Sequence, residues 1–342
     1  MHLGAQPFKQ SYKAALILPF KSGGNHGQLG EAILDYYEGF KMALKDLENE
    51  GLKMQLYVFD SEKDSLAMDE ILLHPDLGKM DLIIGPVSEK GMAKLDVFCQ
   101  EKNIVLISPL KYYKPHTGGA KIFNFFIPDS LRVAASAKAV YELYPKHRYY
   151  LLTDNSAKSK ENAAILKRLK WIPWKTVNLV NGRPTPAIAR TDSVIVVTTI
   201  PLSSAKSGLL AAVKGKKNSW ALGFHDWYPE IESFYKINEP QLLYPAVNYI
   251  NESDTAVVDF ENRFTENYEG EPSKYAFQGY DQALWLGYSL MTWGPDFYLH
   301  NPDAANHGLI NVIHMQQEKN GYLNAGINLV RILDGESTAF KP

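Results

Sequence analysis

The sequence lacks several features that define other protein classes. Its 342 residues include a single cysteine, Cys99, so the chain forms neither an internal disulfide nor a metal site built from several cysteines. It has no run of about eighteen uncharged apolar residues, which excludes an ordinary membrane-spanning helix. Lys and Arg number 36 against 38 Asp and Glu. This balance gives no electrostatic reason to expect a nucleic acid or an anionic membrane as a partner.

The short motifs that identify many enzymes are missing as well. The sequence contains no Gly-x-Gly-x-x-Gly, no Gly-Lys-Ser/Thr phosphate loop, no Gly-x-Ser-x-Gly elbow and no His-Glu-x-x-His. The nine histidines are scattered, and none forms the i, i+4 pair that a zinc site on one helix face requires. We therefore expect a protein that is not an enzyme, with no catalytic residues, no metal site and no cofactor.

The sequence does contain a regular alternation of short apolar runs and amphipathic helices. The first run, 14–20, precedes a predicted helix at 30–50, whose apolar residues recur at the spacing of one buried face. The series continues with strands at 54–59, 82–84 and 104–107 and helices at 65–73 and 88–101. Such alternation is typical of a parallel sheet with helices on both faces.

A polar, turn-forming segment near 110–121 interrupts this series, and a second alternating series follows it. Two further helices, predicted at 255–268 and 275–292, belong to neither series and are placed back on the first sheet. We predict an α/β protein of two Rossmann-like lobes with parallel sheets, joined by several hinge crossings. The predicted domains are 12–122 with 252–323 for the N-terminal lobe and 123–251 with 324–342 for the C-terminal lobe, after a leader remnant or added segment at 1–11.

Several segments, in order along the chain, resemble one known family. They are 81–86 (Asp-Leu-Ile-Ile-Gly-Pro), 104–109 (Ile-Val-Leu-Ile-Ser-Pro), 260–264 (Phe-Glu-Asn-Arg-Phe), 268–273 (Tyr-Glu-Gly-Glu-Pro-Ser), 275–283 (with Gly279-Tyr280-Asp281) and 328–335. Their order and spacing are similar to the branched-chain amino-acid (leucine/isoleucine/valine) binding-protein branch of the type I periplasmic-binding-protein fold. The resemblance covers nearly the whole chain from Lys13 onward.

This resemblance implies a non-enzymatic protein that closes on a small polar ligand between two lobes, like the substrate-binding proteins of ABC transporters. It further implies a periplasmic or otherwise extracytoplasmic location, with or without a lipid anchor or a further N-terminal region. The implied partners are the ligand and a membrane permease or a cell-envelope protein.

Candidate site residues come from the ends of the predicted strands, because open α/β sheets bind ligands at the carboxyl ends of their strands. Within the resemblance, Ser88 matches the family's carboxylate-side serine, and Asp226 matches its ammonium-side acid. The seven residues expected to line the site are Ser88, Ser108, Lys111, Tyr112, Asp154, Thr199 and Asp226.

The segment after 104–109 departs from the family pattern. Amino-acid-binding members have small residues and a threonine there, whereas this chain has Leu110, Lys111 and Tyr112. These side chains compete for the volume of a ligand carboxylate, so we expect free branched-chain amino acids to bind weakly or not at all. One alternative is a more anionic ligand that meets Lys111. The other is a cell-envelope interaction or regulatory protein that keeps the fold, has lost the amino-acid site and works through protein contacts.

Overall fold

In a computed structural model, the chain folds into two compact units. Unit 1 comprises Met1–Ile127 and Ile250–Gly326, and unit 2 comprises Pro128–Tyr249 and Ile327–Pro342. The residues described are 9–20, 28–61, 65–115, 121–188, 193–213, 218–224, 241–246, 248–300, 308–319, 321–333 and 336–340. Each unit contains one mostly parallel sheet with helices, so the predicted α/β class is confirmed.

Strands and helices alternate along most of the chain. The strands are β1 (Tyr12–Leu18), β2 (Met54–Asp60), β3 (Leu82–Ile84), β4 (Val105–Ser108), β5 (Ile122–Asn124), β6 (Arg148–Thr153), β7 (Lys175–Val180), β8 (Arg183–Thr185), β9 (Val194–Thr198), β10 (Trp220–Leu222), β11 (Leu242–Ala246), β12 (Met315–Glu318), β13 (Gly321–Asn324), β14 (Asn328–Leu333) and β15 (Glu336–Phe340). The α-helices are α1 (Gln28–Asn49), α2 (Ser65–Leu72), α3 (Glu89–Lys102), α4 (Asp129–Leu143), α5 (Ala157–Lys167), α6 (Leu202–Val213), α7 (Thr255–Tyr268) and α8 (Lys274–Trp293).

The sheet of unit 1 has seven strands in the order β12-β13-β5-β4-β3-β1-β2, and only β12 runs antiparallel to its neighbour. The lobe boundary predicted after residue 122 falls inside β5. Phe123 and Asn124 pair with Ile107 and Ser108 of β4, so they belong to unit 1. The boundary is corrected because β5 pairs with β4 on one side and with β13 on the other, inside the unit 1 sheet.

Both faces of the unit 1 sheet are covered, which explains why its central strands β1, β3 and β4 are nearly continuous apolar runs. On one face, Leu16 of β1 packs with side chains of α1, α7 and α8; on the other, Ile17 packs with α2 and α3. Arg263 of α7 donates to both carboxylate oxygens of Asp46 on α1, each at 3.0 Å, and the Tyr280 hydroxyl of α8 donates to the same carboxylate at 2.7 Å. These bonds fix both C-terminal helices on α1.

Helices α1 and α8 lie in close contact because each contributes a glycine to their interface. A Cβ atom on Gly39 would lie 1.9 Å from the Ala276 carbonyl oxygen, and one on Gly279 would lie 2.0 Å from that of Tyr36. Any side chain at either position would overlap the backbone of the facing helix.

The sheet of unit 2 has eight strands in the order β15-β14-β11-β10-β9-β6-β7-β8. Strands β6, β7, β9, β10 and β11 form its parallel centre, whereas β8, β14 and β15 add antiparallel edges. Side chains of α6 pack on one face of this sheet, and those of α4 and α5 pack on the other. The predicted parallel pattern therefore holds for the centre of the sheet but not for its edges.

Among the described residues, none of the helices combines the length and the apolar character needed to cross a bilayer.

Candidate functional site

Ser88 lies at the turn that connects β3 to α3. The turn begins at Gly85, whose φ is +88° and whose added Cβ would lie 2.1 Å from the Ile17 carbonyl oxygen, so only glycine fits there. Ser88 is the N-cap of α3, and its Oγ accepts a hydrogen bond from the Gly91 amide at 3.2 Å. Because that bond uses the hydroxyl as an acceptor and the residue is exposed, its proton can still be donated to a ligand.

Ser108 ends β4 and holds the following loop. It is only 2% exposed, and its Oγ donates to the Lys111 carbonyl oxygen at 2.5 Å. The hydroxyl is therefore committed to the turn, and Ser108 acts by positioning Lys111 and Tyr112. Both of those side chains are exposed.

Two buried polar residues that sequence reasoning did not select, Gln282 and Asn124, also hold this loop. Gln282 of α8 donates from Nε2 to the Pro109 carbonyl oxygen at 3.0 Å, and its Oε1 accepts from the Tyr36 hydroxyl at 2.7 Å. Asn124 of β5 accepts a hydrogen bond from the Tyr113 amide at 2.8 Å. The polar pair Asp281 and Gln282 in the mostly apolar middle of α8 was the available signal, since buried polar side chains are normally partnered.

A surface cavity of about 170 Å³ lies beside this loop. Its lining includes two lysines, Lys111 and Lys114, and one acid, Glu89. Burial and the nearby charge of Glu318 raise the pKa of Tyr112, so its phenol stays a neutral hydrogen-bonding group. The lining residues are Val87, Glu89, Met92, Ser108, Lys111, Tyr112, Tyr113 and Lys114. Three of the seven predicted site residues, Ser108, Lys111 and Tyr112, thus line one cavity of unit 1. Ser88 is adjacent in sequence to two further lining residues, Val87 and Glu89.

In unit 2, Asp154 and Thr199 follow adjacent strands. Leu152 of β6 is paired with Thr198 of β9, so the two site candidates lie at the same edge of the sheet. Asp154 accepts from the Ser156 amide at 3.0 Å and from its hydroxyl at 2.7 Å. Burial acts to raise the pKa of Asp154, but these hydrogen bonds outweigh it and hold the pKa below its usual value. The carboxylate is therefore ionised and already organises the entry to α5.

Asp226, the predicted ammonium-side acid, lies outside the described residues. The described part of the chain contains no group of three or more His, Cys, Asp or Glu side chains arranged to hold a metal ion.

Asp281, from the Gly-Tyr-Asp motif, is fully buried and anchors a loop instead of lining the cavity. Its carboxylate accepts hydrogen bonds from the amides of Leu309 (2.6 Å), Ile310 (3.1 Å) and Asn311 (2.9 Å) and from Asn311 Nδ2 (2.6 Å). Burial raises the pKa of Asp281 to about 6, although the four donors act to lower it. This residue fixes the chain that leads from α8 to β12.

Comparison with known proteins identifies the fold. No protein-family model matches the sequence, and no curated protein is similar to it in sequence. Among solved structures, the chain is similar to a putative branched-chain amino acid ABC transporter from Rhodospirillum rubrum, with 12% identity over 96% of this chain and 100% of that chain and a TM-score of 0.68. It is also similar to an ABC-type branched-chain amino acid transporter from Rhodopseudomonas palustris, with 13% identity over 97% and 95% of the two chains and a TM-score of 0.60.

A third similar structure is an ABC transporter substrate-binding protein from Desulfitobacterium hafniense in complex with Leu, with 15% identity, 96% and 100% coverage and a TM-score of 0.51. These likenesses extend over nearly the whole chain. The protein therefore has the type I periplasmic-binding-protein fold that the sequence resemblance implied.

Proposed function

We propose that this protein is a non-enzymatic, extracytoplasmic ligand-binding protein that encloses a small polar ligand between its two units and presents it to an ABC-type membrane permease. The observation that carries the proposal is the cavity at the carboxyl ends of β3 and β4, with Lys111 and Tyr112 exposed beside it. Ligands of open α/β sheets bind at this end of the strands. The transport roles named for the similar structures support the same function.

The chemistry of this cavity fits a small organic anion better than a free branched-chain amino acid. Ser88 offers one hydroxyl donor, and Lys111 offers a cation that a carboxylate can meet. Ser108 contributes no donor to a ligand because its hydroxyl is bonded to the Lys111 carbonyl. Leu110 and Tyr112 occupy sequence positions where amino-acid-binding members have small residues, so the cradle for a zwitterion is incomplete.

A thermal-shift screen tests this function with leucine, isoleucine and valine in one arm and lactate, succinate and glutarate in the other. A ligand at a hundredfold excess over its Kd should add about 2.7 kcal/mol to the free energy of unfolding. We expect at least one carboxylate to stabilise the protein and the three amino acids to have little effect. Micromolar calorimetric binding of any of the three would overturn the exclusion of amino acids. Failure of every ligand would favour the cell-envelope interaction protein instead.

Lys111→Met is expected to weaken binding of the stabilising carboxylate by about tenfold or more, because a hydrogen bond to a charged group contributes about 1.5–3 kcal/mol. Lys90→Met is the matched control, since Lys90 is exposed on α3 in the same unit and does not line the cavity. Calorimetric Kd values for the two variants provide the comparison. Equal weakening by both would show that general charge, and not this site, holds the ligand.

A further inference from the structure

The near-neutral charge of the whole chain conceals two units of opposite charge. Unit 2 contains 19 Lys and Arg residues against 11 Asp and Glu, whereas unit 1 contains 17 against 27. The near-zero net charge of the whole chain, which gave no reason to expect an anionic partner, therefore arises because the charges of the two units cancel. Within unit 2, residues 157–175 contain six Lys and Arg and a single acid, Glu161.

Five of these cations and one tryptophan are exposed on α5 and in the segment that follows it; we call this set the basic face: Lys160, Lys167, Arg168, Lys170, Trp171 and Lys175. On α5, Lys160, Ala164 and Lys167 follow one another at spacings of four and three residues, so they share one side of the helix. All three are exposed, while Ala163 and Leu166 are buried in the core of unit 2. The remaining members of the face are exposed in the segment that links α5 to the first residue of β7.

The part of unit 2 that the structure describes offers the basic face no compensating ion pair. Among the described residues, none of its five cations forms an ion pair, whereas Lys138 on neighbouring α4 lies 3.9 Å from Glu142. Like charges held close together repel and reduce the stability of the folded chain. An anionic partner would remove this cost, so the surface is suited to binding one.

The nature of that partner follows from Trp171, which is 55% exposed among the cations. An indole ring is apolar over its faces and carries one N–H donor, and such rings favour the headgroup layer of a membrane. Protein surfaces that bind anionic bilayers typically combine Lys and Arg with an exposed Trp. We propose that the basic face docks unit 2 on an anionic phospholipid surface, with the cations at the headgroup phosphates and Trp171 in the headgroup layer.

Vesicle sedimentation tests the proposal with the full chain. We expect binding to phosphatidylglycerol/phosphatidylcholine vesicles at low salt, no binding to pure phosphatidylcholine vesicles and loss of binding in about 0.5 M NaCl, where charges are screened. Each basic residue near such a surface contributes about 1 kcal/mol, or roughly fivefold in partitioning. The triple variant Lys160→Gln, Lys167→Gln, Lys170→Gln should therefore partition about a hundredfold more weakly, and Trp171→Ala should weaken binding independently.

The matched control is Lys45→Gln, Lys53→Gln, Lys90→Gln, which removes three exposed lysines from unit 1 and changes the net charge by the same amount. It should partition like the wild type. Equal weakening of both triple variants would overturn the assignment of the surface. Binding to duplex DNA or polyglutamate without binding to the anionic vesicles would overturn the lipid as partner. Circular dichroism of each variant establishes that it is folded.

Discussion

Replacing Asp281 with alanine is expected to lower the free energy of unfolding by about 4 kcal/mol, because each buried donor left without an acceptor costs about 1–3 kcal/mol. Four donors lose their shared acceptor in this variant: three consecutive backbone amides at 309–311 and the Asn311 side chain. Urea unfolding followed by circular dichroism at pH 7.5 measures the effect. The control is Asp254→Asn at the N-cap of α7. Aspartate and asparagine are equally good acceptors for the Ala256 amide there, so this variant should unfold like the wild type.

Asp281→Asn provides a finer test of the same anchor. The amide keeps one oxygen but turns an NH₂ group toward a donor, so we expect a loss of about 2 kcal/mol. Because the folded pKa of Asp281 is raised to about 6 from an ordinary value of 3.8, this carboxyl stabilises most below pH 4 and loses that contribution as the pH rises through 6. The stability difference between wild type and Asp281→Asn should therefore narrow from pH 4.5 to pH 7. A difference that widens would contradict the raised pKa.

Gly279→Ala is expected to destabilise the protein by about 3 kcal/mol, although alanine is intrinsically the better helix former. Its Cβ would lie 2.0 Å from the Tyr36 carbonyl oxygen, and a backbone atom in the middle of α1 cannot move aside as a side chain can. Helices α1 and α8 would have to separate along a buried interface. The melting temperature and the urea midpoint measure this loss.

Gly30→Ala is the control for Gly279→Ala, since it places the same methyl group in α1 with no atom within 4 Å. It should stabilise the protein by up to about 1 kcal/mol. If both substitutions stabilised the protein, that result would contradict the close approach of α1 and α8 at Gly279.

Most of the fold was predictable because its central strands and helices have strong periodic patterns. Helix α7 begins and ends at the predicted residues, 255 and 268, and α1 and α8 differ from prediction by two residues or fewer at each end. The hairpin of β12 and β13 was missed because 316–318 are polar and exposed at a sheet edge, so no apolar alternation marks them. The dipeptide Asn320-Gly321, a common hairpin signal, was the available clue.

The candidate site was less predictable than the fold, because its geometry depends on residues far apart in sequence. Strand ends located Ser88, Lys111 and Tyr112, since the carboxyl edge of a parallel sheet is known once its strands are known. The pattern could not show that the hydroxyl of Ser108 is used by its own loop, or that Gln282 supports Pro109 from 173 residues away. The charge segregation was visible only after the chain had been divided into its two units.

The bond between the Tyr36 hydroxyl and Gln282 joins residues 246 positions apart, which has a consequence for synthesis of the chain. Ribosomes add roughly 5–20 residues per second, so the apolar side of α1 must wait roughly 10–50 s before α8 exists to cover it. Strands β6 to β11 of unit 2 are synthesised during that interval, whereas β14 and β15 of the same sheet follow after all of unit 1. Neither sheet can therefore be completed until the chain after residue 314 has been synthesised, because β12 and β13 belong to the first sheet and β14 and β15 to the second.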